Sequence, residues 1–427
     1  MIKLVSFVSA VLLVGLSASN AFATELNGEL QTSVGYSQNL LREVEPPEEV
    51  VIGTVGLMLE YEEENDIVDG GAFLDFDYYL YDTDRVDNEW IGGAFADFDF
   101  TLVPERVTWR VSDNFGQISN DQFRPIAANN RENVNVFSTG PIIRLLPNGR
   151  NNIRLRAQYF RTDFEIQPND SDRFLYGVDF VRTVGRGSEV DLRVSQEEIQ
   201  TDSLIQPIDR DQVTLGWQKQ GARTTLNARA GYTRIDTGLI EDDGLFLSVN
   251  MLRQTSRNGN LTMSARTQYS DQGDIFRALQ NSTGAIGRTL LSTNTPLVFR
   301  DTNATLTYTY AGPSTTLEFT FLWNDEDFEG QSDLGNDTTR TRVSLRRPLG
   351  ASSYYSLRFL YVDREYGDID RSDTELSGIA EIGTSLGRHF KVSLDVSYWD
   401  RNSNFANAAF HEFRSFLRLS YVPDWLQ

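Results

Sequence analysis

Hydrophobic and polar residues alternate along most of this chain with a period of two. In residues 94–103 the even-numbered positions are apolar, and the odd-numbered positions include aspartate and threonine. Residues 153–159 and 226–233 repeat the pattern. Successive side chains of a β-strand point to opposite faces, so each segment presents one apolar and one polar face. The pattern therefore predicts antiparallel β-strands through most of the chain.

The predicted strands differ from those of a soluble sandwich. Several run 14 or 15 residues, as at 68–81 and 89–103, against a mode of about 5–6 in soluble sheets. Charged residues such as Asp75 and Arg193 occur in mid-strand on the polar faces. Short turns rich in Gly, Asn and Pro alternate with longer polar loops, which is typical of outer-membrane barrels. We predict an all-β fold, a transmembrane antiparallel up-and-down β-barrel of about 20 strands with no plug domain; 18 strands is the alternative.

The predicted strand spans are 26–38, 50–62, 68–81, 89–103, 106–116, 131–144, 151–163, 172–185, 188–199, 210–219, 222–235, 243–254, 259–270, 298–311, 314–325, 338–348, 352–366, 372–387, 388–401 and 409–422. An even number places both ends of the barrel chain at the short-turn end. Aromatic residues near the strand ends are predicted to form girdles at the membrane interfaces. They are Tyr61, Tyr159, Tyr232, Tyr269, Trp323, Tyr398 and Tyr421. The alternative is that aromatic residues are simply common in β-sheets.

Residues 1–23 have the layout of a secretory signal peptide. Lys3 precedes an apolar run that extends to about Leu16, and the segment ends in Ala21-Phe22-Ala23. We expect cleavage after Ala23, which leaves residues 24–427 as the outer-membrane β-barrel. An uncleaved membrane anchor is the alternative, although the apolar run is short for a bilayer span. After residue 23 no apolar stretch approaches the length of about 18 residues that a transmembrane helix requires.

Composition excludes several classes of function. The chain has 39 basic and 61 acidic residues and a net charge of −22, which argues against nucleic acid as a partner. It has no cysteine, so disulfide scaffolds, thiolate metal sites and thiol catalysis are excluded. The two histidines, His389 and His411, have no partners at a recognisable catalytic spacing. We therefore expect no enzyme activity, no catalytic residues, no cofactor and no metal site.

The polar strand faces carry charges that we predict to line a pore. The pore-lining candidates are Glu60, Asp75, Asp77, Asp97, Asp99, Arg106, Arg110, Arg154, Arg156, Arg193, Arg229, Arg342, Arg346, Arg358, Arg414 and Arg418. Acidic residues concentrate in the second to fourth strands, and arginines in strands five to seven and near the end of the chain. Opposed acidic and basic walls would set up a transverse field that orients dipolar solutes. Alternatively, neighbouring residues form salt bridges that stiffen the wall, and both arrangements can occur at different heights.

The longest connection, residues 271–297, is unusually apolar for a loop. Ile275, Phe276, Leu279, Ile286 and Leu290 are its candidates for a constriction that folds into the barrel; packing on the rim is the alternative. The loops at 82–88 and 324–337 are rich in acidic residues. Oxygen clusters can bind calcium, but neither loop fits the twelve-residue calcium template, so solvated acidic loops are the simpler interpretation.

The stretch from Trp109 to Gln117 (WRVSDNFGQ) carries a family resemblance, together with the signal peptide and the acidic, arginine-rich barrel. The chain resembles the outer-membrane β-barrel porins that accompany exopolysaccharide secretion genes. The resemblance implies an outer-membrane exit for a polysaccharide in a Gram-negative bacterium, with a periplasmic polysaccharide export protein as partner.

Two hypotheses about function follow. The first is a conduit for a secreted polysaccharide, or a porin for hydrophilic solutes. The second is a non-conducting structural or adhesive outer-membrane barrel. In both, the expected partners are outer-membrane lipid, lipopolysaccharide and the outer-membrane assembly machinery, and not nucleic acid.

Overall fold

A computed structural model describes residues 24–423 apart from 45–46, 122, 147–148, 204–206, 239–240, 272–273, 275–297, 329–333, 368 and 406–407. The described residues form β1 (Thr24–Ser37), β2 (Val50–Glu64), β3 (Val68–Tyr81), β4 (Glu89–Val103), β5 (Val107–Ile118), β6 (Glu132–Leu145), β7 (Asn151–Phe164), β8 (Ser171–Gly185), β9 (Ser188–Thr201), β10 (Ile208–Gln220), β11 (Thr224–Asp236), β12 (Glu241–Gln254), β13 (Gly259–Ser270), β14 (Phe299–Ala311), β15 (Thr316–Asp327), β16 (Asn336–Pro348), β17 (Ser353–Tyr366), β18 (Arg371–Leu386), β19 (Phe390–Ser403) and β20 (Phe410–Tyr421).

Each strand pairs with the next along the chain, and β1 pairs with β20, so the sheet closes on itself. All pairings are antiparallel. The predicted closed antiparallel barrel of 20 strands is confirmed, and the alternative of 18 is wrong. The closing pair joins only eight residue pairs, from Leu30–Tyr421 to Ser37–Arg414, whereas β1 and β2 join 14.

The connections differ in length between the two ends of the barrel. Turns such as 186–187 and 221–223 join each even-numbered strand to the next strand, and they define the short-turn end. Loops such as 38–49 and 119–131 join each odd-numbered strand to the next and define the long-loop end. The first strand begins and the last strand ends at the short-turn end. One predicted turn was too short: spans 372–387 and 388–401 abut, whereas the structure has a turn at 387–389, with Gly387 at φ 75°.

The two faces of the barrel wall differ in chemistry. One face exposes large apolar side chains along its length, among them Val178, Leu192, Leu215, Leu245 and Leu357, which are 44–59% exposed. The other face carries the charged positions. Side chains of the charged face meet across non-adjacent strands, as where Arg229 of β11 lies 2.9 Å from Asp191 of β9. Such contacts form on the concave side of a closed sheet, so the charged face is the inner one.

The ladder is interrupted at the long-loop end between β4 and β5 and between β12 and β13. The β4–β5 register ends at Ala94–Phe115, and Gln117 Nε2 donates a hydrogen bond to the Trp90 carbonyl at 3.1 Å. The β12–β13 register ends at Leu247–Thr267, and the Tyr269 hydroxyl donates to the Asp243 carbonyl oxygen at 3.4 Å as well as to the Asp242 carboxylate. Side chains therefore replace missing ladder bonds at both places.

Two predicted girdle residues are not at an exposed interface. Tyr269 is 8% exposed and packs with Ile199, Ile208 and Ile235 of the inner face. The prediction that Tyr269 belongs to an aromatic girdle at a membrane interface is therefore wrong. Tyr61 is 4% exposed, because it packs against Ala96 and Phe98 on the wall. Among the described residues, no helix is both long and apolar enough to cross a membrane.

Close backbone approach makes Gly231 of β11 a sensitive position. A Cβ atom there would lie 2.7 Å from Thr214 Cα and would contact the Val213 carbonyl oxygen. We expect Gly231→Ala to lower the stability of the barrel by about 1–3 kcal/mol, since neighbouring backbone has to move. Gly378→Ala on β18, where a Cβ meets nothing within 4 Å, is the matched control and leaves stability unchanged. The measurement is the urea midpoint at which the folded band is lost in a semi-native gel; equal midpoints for both variants would contradict the account.

Candidate functional site

The candidate site is the inner face of the barrel. The strand register places fifteen of the sixteen predicted pore-lining residues on this face: Glu60, Asp75, Asp77, Asp97, Asp99, Arg110, Arg154, Arg156, Arg193, Arg229, Arg342, Arg346, Arg358, Arg414 and Arg418. Arg106 lies in the connection between β4 and β5, outside the strands. That these residues line a conducting pore stays a prediction.

Charges on the inner face are sorted into neighbouring sectors. The inner positions of β1–β4 include Glu25, Glu29, Glu60, Glu62, Asp69, Asp75, Asp77, Asp97 and Asp99. The next strands, β5–β7, contribute Arg110, Arg144, Arg154 and Arg156. Opposite β2–β4 in a ring of twenty lie β12–β14, whose inner positions include Ser248, Asn250, Thr262, Ser264, Thr305 and Thr307. The acidic sector therefore adjoins the basic sector of β5–β7, whereas Arg342, Arg346 and Arg358 on β16 and β17 lie farther round the ring, and a transverse field between opposed walls stays a prediction.

Many of the inner charges form salt bridges within the wall. Arg110 lies 2.8 Å from Asp97, and Arg342 lies 2.8 Å from Glu318. Arg156 and Arg193 share Asp179, at 3.0 and 2.9 Å. These pairs join side chains on adjacent strands, so the salt-bridge alternative applies to this part of the wall.

Seven of the predicted residues form no salt bridge with a described residue. Within the described part of the chain, no opposite charge lies within 4 Å of Glu60, Asp75, Asp77, Arg154, Arg346, Arg358 or Arg418. The Arg346 guanidinium lies 4.0 Å above the centre of the Tyr354 ring. The Tyr354 hydroxyl donates a 2.6 Å hydrogen bond to Glu381. An arginine stacked on a tyrosine beside a carboxylate offers an apolar ring and charged hydrogen-bonding groups together.

The loop 119–131, which we call the inner loop, enters the barrel from β5 and β6. Its Phe123 carbonyl accepts a 2.6 Å hydrogen bond from Arg371 of β18, seven strands away around the ring. The Phe123 ring lies 5.5 Å from the Tyr366 ring, between centroids. Ala128 packs against a buried cluster of Leu40, Val50 and Ile52. The inner loop thus contacts the barrel near its long-loop end, at β17 and β18 on one side and at β2 on the other.

A single amide organises the inner loop. Asn130 is 1% exposed, and its Nδ2 lies within hydrogen-bond distance of Ser119 Oγ at 3.0 Å and the carbonyls of Asp121 and Pro125 at 2.9 and 3.0 Å. At the base of the loop, Glu132 accepts hydrogen bonds from the backbone amides of Ile166 and Gln167, at 2.8 and 2.6 Å. The loop is therefore a defined structure and not a solvated excursion.

Sequence reasoning missed the inner loop. Its partner Arg371 lies 248 positions away, so no local pattern indicates the contact. One local signal could have indicated the inner loop, namely the apolar residues Ile126 to Ala128 that follow Pro125. Loops that run over the surface in water are usually polar.

The network that receives the inner loop is buried. Arg371 and Asp373 are 2% exposed and lie 2.8 Å apart, and Arg401 also bonds to Asp373. On the adjacent strands, Glu412 accepts hydrogen bonds from Ser37 at 2.6 Å and Arg42 at 2.8 Å. Buried charges are tolerated when they are paired and hydrogen-bonded. The paired Arg371 is therefore fixed in place, and its hydrogen bond fixes the Phe123 carbonyl of the inner loop.

The predicted constriction residues Ile275, Phe276, Leu279, Ile286 and Leu290 lie outside the described residues, so the constriction stays a prediction. The start of that connection is described. Asp274 accepts hydrogen bonds from Arg173 of β8 at 2.7 Å and Arg210 of β10 at 2.9 Å, and Asp271 also bonds to Arg173. Asp271 and Asp274, which follow β13, are therefore bound to arginines of the inner face on β8 and β10.

The acidic loop at 82–88 forms ion pairs within the rim. Arg85 lies 2.9 Å from Glu43 and 2.7 Å from Glu48. The hydrogen bond to Glu43 stabilises the guanidinium cation and raises the pKa of Arg85 above its ordinary value. Within the described ranges, no group of three or more acidic or histidine residues could hold a metal ion.

Comparison with known proteins gives structural likeness only. No family model matches the chain, and no curated protein matches it. Among solved structures, the siderophore receptor PirA from Acinetobacter baumannii is similar, with a TM-score of 0.49 at 8% identity over 95% of this chain and 81% of the receptor. The ferric citrate transporter FecA gives 0.47 at 10% identity over 94% and 79%. OpdQ from Pseudomonas aeruginosa gives 0.40 at 10% identity over 94% and 99%.

The role of Asn130 can be tested with a unique thiol, because the chain has no cysteine. In an Ala127→Cys protein the thiol replaces a side chain that is 1% exposed, so maleimide labelling should be slow. Adding Asn130→Ala removes the buried amide at a cost of about 1–3 kcal/mol. We expect labelling to become at least about tenfold faster.

The control for that measurement is Asn227→Ala, an exposed inner-face substitution on β11 remote from the inner loop. It should leave the labelling rate of Ala127→Cys unchanged. Slow labelling in the Asn130→Ala background, in a protein that still folds, would show that this amide does not hold the inner loop.

Proposed function

We propose that this protein is an outer-membrane β-barrel channel, and that the solute it conducts is a secreted polysaccharide on its way out of the cell. One observation carries the proposal: a closed barrel exposes apolar side chains outside and holds unpaired charges of both signs inside. The first property suits a bilayer, and the second suits a hydrated solute.

The outer surface supports a membrane location. Soluble monomers rarely expose contiguous apolar patches of more than a few hundred square ångströms. Here apolar side chains are exposed around the ring, from Val34 and Val55 through Leu192 and Leu247 to Leu417. Lipid accepts such a surface and offers no hydrogen bonds, so a spanning sheet has to be closed.

The ends of the barrel support an orientation. Outer-membrane barrels carry short turns on the periplasmic side and long loops outside. On that basis the short-turn end, where β1 begins and β20 ends, faces the periplasm. The proposal includes removal of residues 1–23 during export, assembly by the outer-membrane machinery, and contact with lipopolysaccharide and a periplasmic export protein.

The lumen supports a hydroxylated solute. A ring of 20 strands is wider than those of the 16–18-stranded porins, which already leave an aqueous channel. Free carboxylates on β2 and β3 and free arginines on β7, β16, β17 and β20 provide hydrogen-bonding groups of both kinds for sugar hydroxyls. The choice of a polysaccharide over smaller solutes rests on the resemblance at Trp109–Gln117.

A second candidate is a non-conducting structural or adhesive barrel. The inner loop and the buried network of Arg371, Asp373 and Arg401 favour it, because together they close part of the long-loop half of the lumen. Conductance separates the two candidates.

The decisive experiment is single-channel recording of the purified protein in planar bilayers under a KCl gradient. We expect discrete conductance steps, and transient blocks when the candidate polysaccharide is added at the short-turn side. A triple variant Glu60→Gln, Asp75→Asn, Asp77→Asn should move the reversal potential toward anion selectivity, because it removes unpaired lumen carboxylates.

The matched variant Arg154→Gln, Arg346→Gln, Arg358→Gln should move the reversal potential the other way. Shifts of the same sign would show that these residues do not line the ion path. Absence of conductance from a correctly folded wild-type protein would favour the non-conducting barrel.

Membrane embedding predicts unequal effects of arginine on the two faces. Leu192→Arg on the outer face of β9 should cost about 2–4 kcal/mol if it lies near the bilayer midplane. Asn227→Arg on the exposed inner face of β11 should cost far less, since its guanidinium remains in water. The measurement is the urea midpoint of the barrel folded into vesicles; equal losses would contradict the assignment of the faces.

A further inference from the structure

Three consecutive hairpins carry exposed basic residues at the short-turn end. They are the β8–β9, β10–β11 and β12–β13 hairpins, and their residues form what we call the basic turn cluster: Arg182, Arg186, Lys219, Arg223, Arg253 and Arg257. All six are exposed. Within the described part of the chain, no carboxylate lies within 4 Å of any of these charges. The carboxylate nearest in sequence, Glu189, belongs to the inner face, and Thr183 donates to it at 3.5 Å.

The opposite ends of the same strands have the opposite charge. At the long-loop end, β9–β12 and their connections expose Glu198, Asp202, Asp209, Asp211, Glu241 and Asp243. The chain as a whole has a net charge of −22, so six cations without a salt bridge on three consecutive hairpins form a region of opposite, positive charge. Six like charges on three consecutive hairpins create a local positive potential, which attracts a partner of negative charge.

Hydrogen bonds between the hairpins hold the cluster in place. Lys219 Nζ donates to the Arg186 carbonyl at 3.1 Å, and Trp217 Nε1 donates to Ser188 Oγ at 3.1 Å. The Gln254 amide donates to the Arg223 carbonyl at 2.8 Å, which joins the second hairpin to the third. The cations are therefore set on a rigid edge, so little ordering is needed when a partner binds.

The surface next to the cluster is apolar and aromatic. Phe180, Val184 and Trp217 are 40–55% exposed on the outer side of the wall, and Lys219 follows Trp217 on the same face. Tryptophan beside lysine and arginine at the edge of an apolar belt is typical of a headgroup region. A soluble polyanion would contact the basic residues but would not cover the apolar side chains beside them.

We propose that the basic turn cluster binds the phosphate groups of anionic phospholipids in the leaflet at the short-turn end. This inference rests on the proposed function, because it requires the barrel to span a bilayer. Each cation near an anionic membrane surface adds to the attraction, and three adjacent hairpins present six along one arc of the barrel. The cluster thereby selects the lipids that surround one side of the barrel.

The test compares the full chain folded into phosphatidylcholine vesicles and into vesicles of equal parts phosphatidylcholine and phosphatidylglycerol. The lipids retained by the protein after detergent extraction are counted by native mass spectrometry. We expect wild type to retain phosphatidylglycerol over phosphatidylcholine by at least about fivefold, and high salt to reduce the preference. The variant R182Q/R186Q/K219Q/R223Q/R253Q/R257Q should retain the two lipids nearly equally.

The matched control neutralises six charges at the other end of the same strands, E198Q/D202N/D209N/D211N/E241Q/D243N, and should keep the preference. Vesicle flotation and conductance are measured for every variant. Failure of wild type to float with vesicles would overturn the proposed function as well as this inference. A protein that floats but shows no preference for phosphatidylglycerol, or a six-glutamine variant that keeps it, would overturn this inference alone.

Soluble polygalacturonate provides the remaining comparison. If it binds wild type and not the six-glutamine variant while no lipid preference exists, the cluster serves a soluble polyanion and the lipid assignment is wrong.

Discussion

The structure depends on closing every backbone hydrogen bond within one ring of strands. A sheet with a free edge exposes unpaired amides and carbonyls, which neither lipid nor an apolar neighbour can satisfy. Closure between β1 and β20 removes that edge. Where the hydrogen-bond ladder is interrupted, at β4–β5 and β12–β13, the side chains of Gln117 and Tyr269 donate to the backbone carbonyls of Trp90 and Asp243. Once the ring is closed, side chains are divided between an outer and an inner face, and the apolar belt and the charged lumen follow.

The charged residues on the inner face fall into two groups, those in salt bridges and those without one. Pairs such as Arg110–Asp97 and Arg342–Glu318 tie neighbouring strands together and neutralise each other. Residues such as Asp75 and Arg358 have no such partner among the described residues. The acidic sector of β1–β4 adjoins the basic sector of β5–β7, so charges of opposite sign meet along one side of the barrel wall.

Much of the fold could be predicted from the sequence, because a period of two is a local property. Spans such as 68–81 and 89–103 agree with the observed β3 and β4 to the residue. The faces were also predictable, since parity within a strand decides the side of each residue. Which charges pair was not, because Asp179 meets both Arg156 and Arg193 only in one register. The inner loop was missed for the same reason: Arg371 and Phe123 meet only after the ring has closed.

The eight-pair junction of β1 with β20 has a consequence for how the molecule is made. Every other pair of neighbouring strands joins segments that follow one another in the chain. The β1–β20 pair instead joins residues that are separated by almost the whole length of the chain, such as Leu30 and Tyr421. Contacts between residues distant in the sequence form slowly, because the conformational entropy of a long loop is lost before the contacts contribute favourable free energy. This junction is therefore the least local contact of the sheet, and until it forms β1 and β20 are open edges with unpaired backbone groups. Lys391 of β19 reaches past β20 to Glu29 of β1 at 2.9 Å, so an ion pair spans the closed junction.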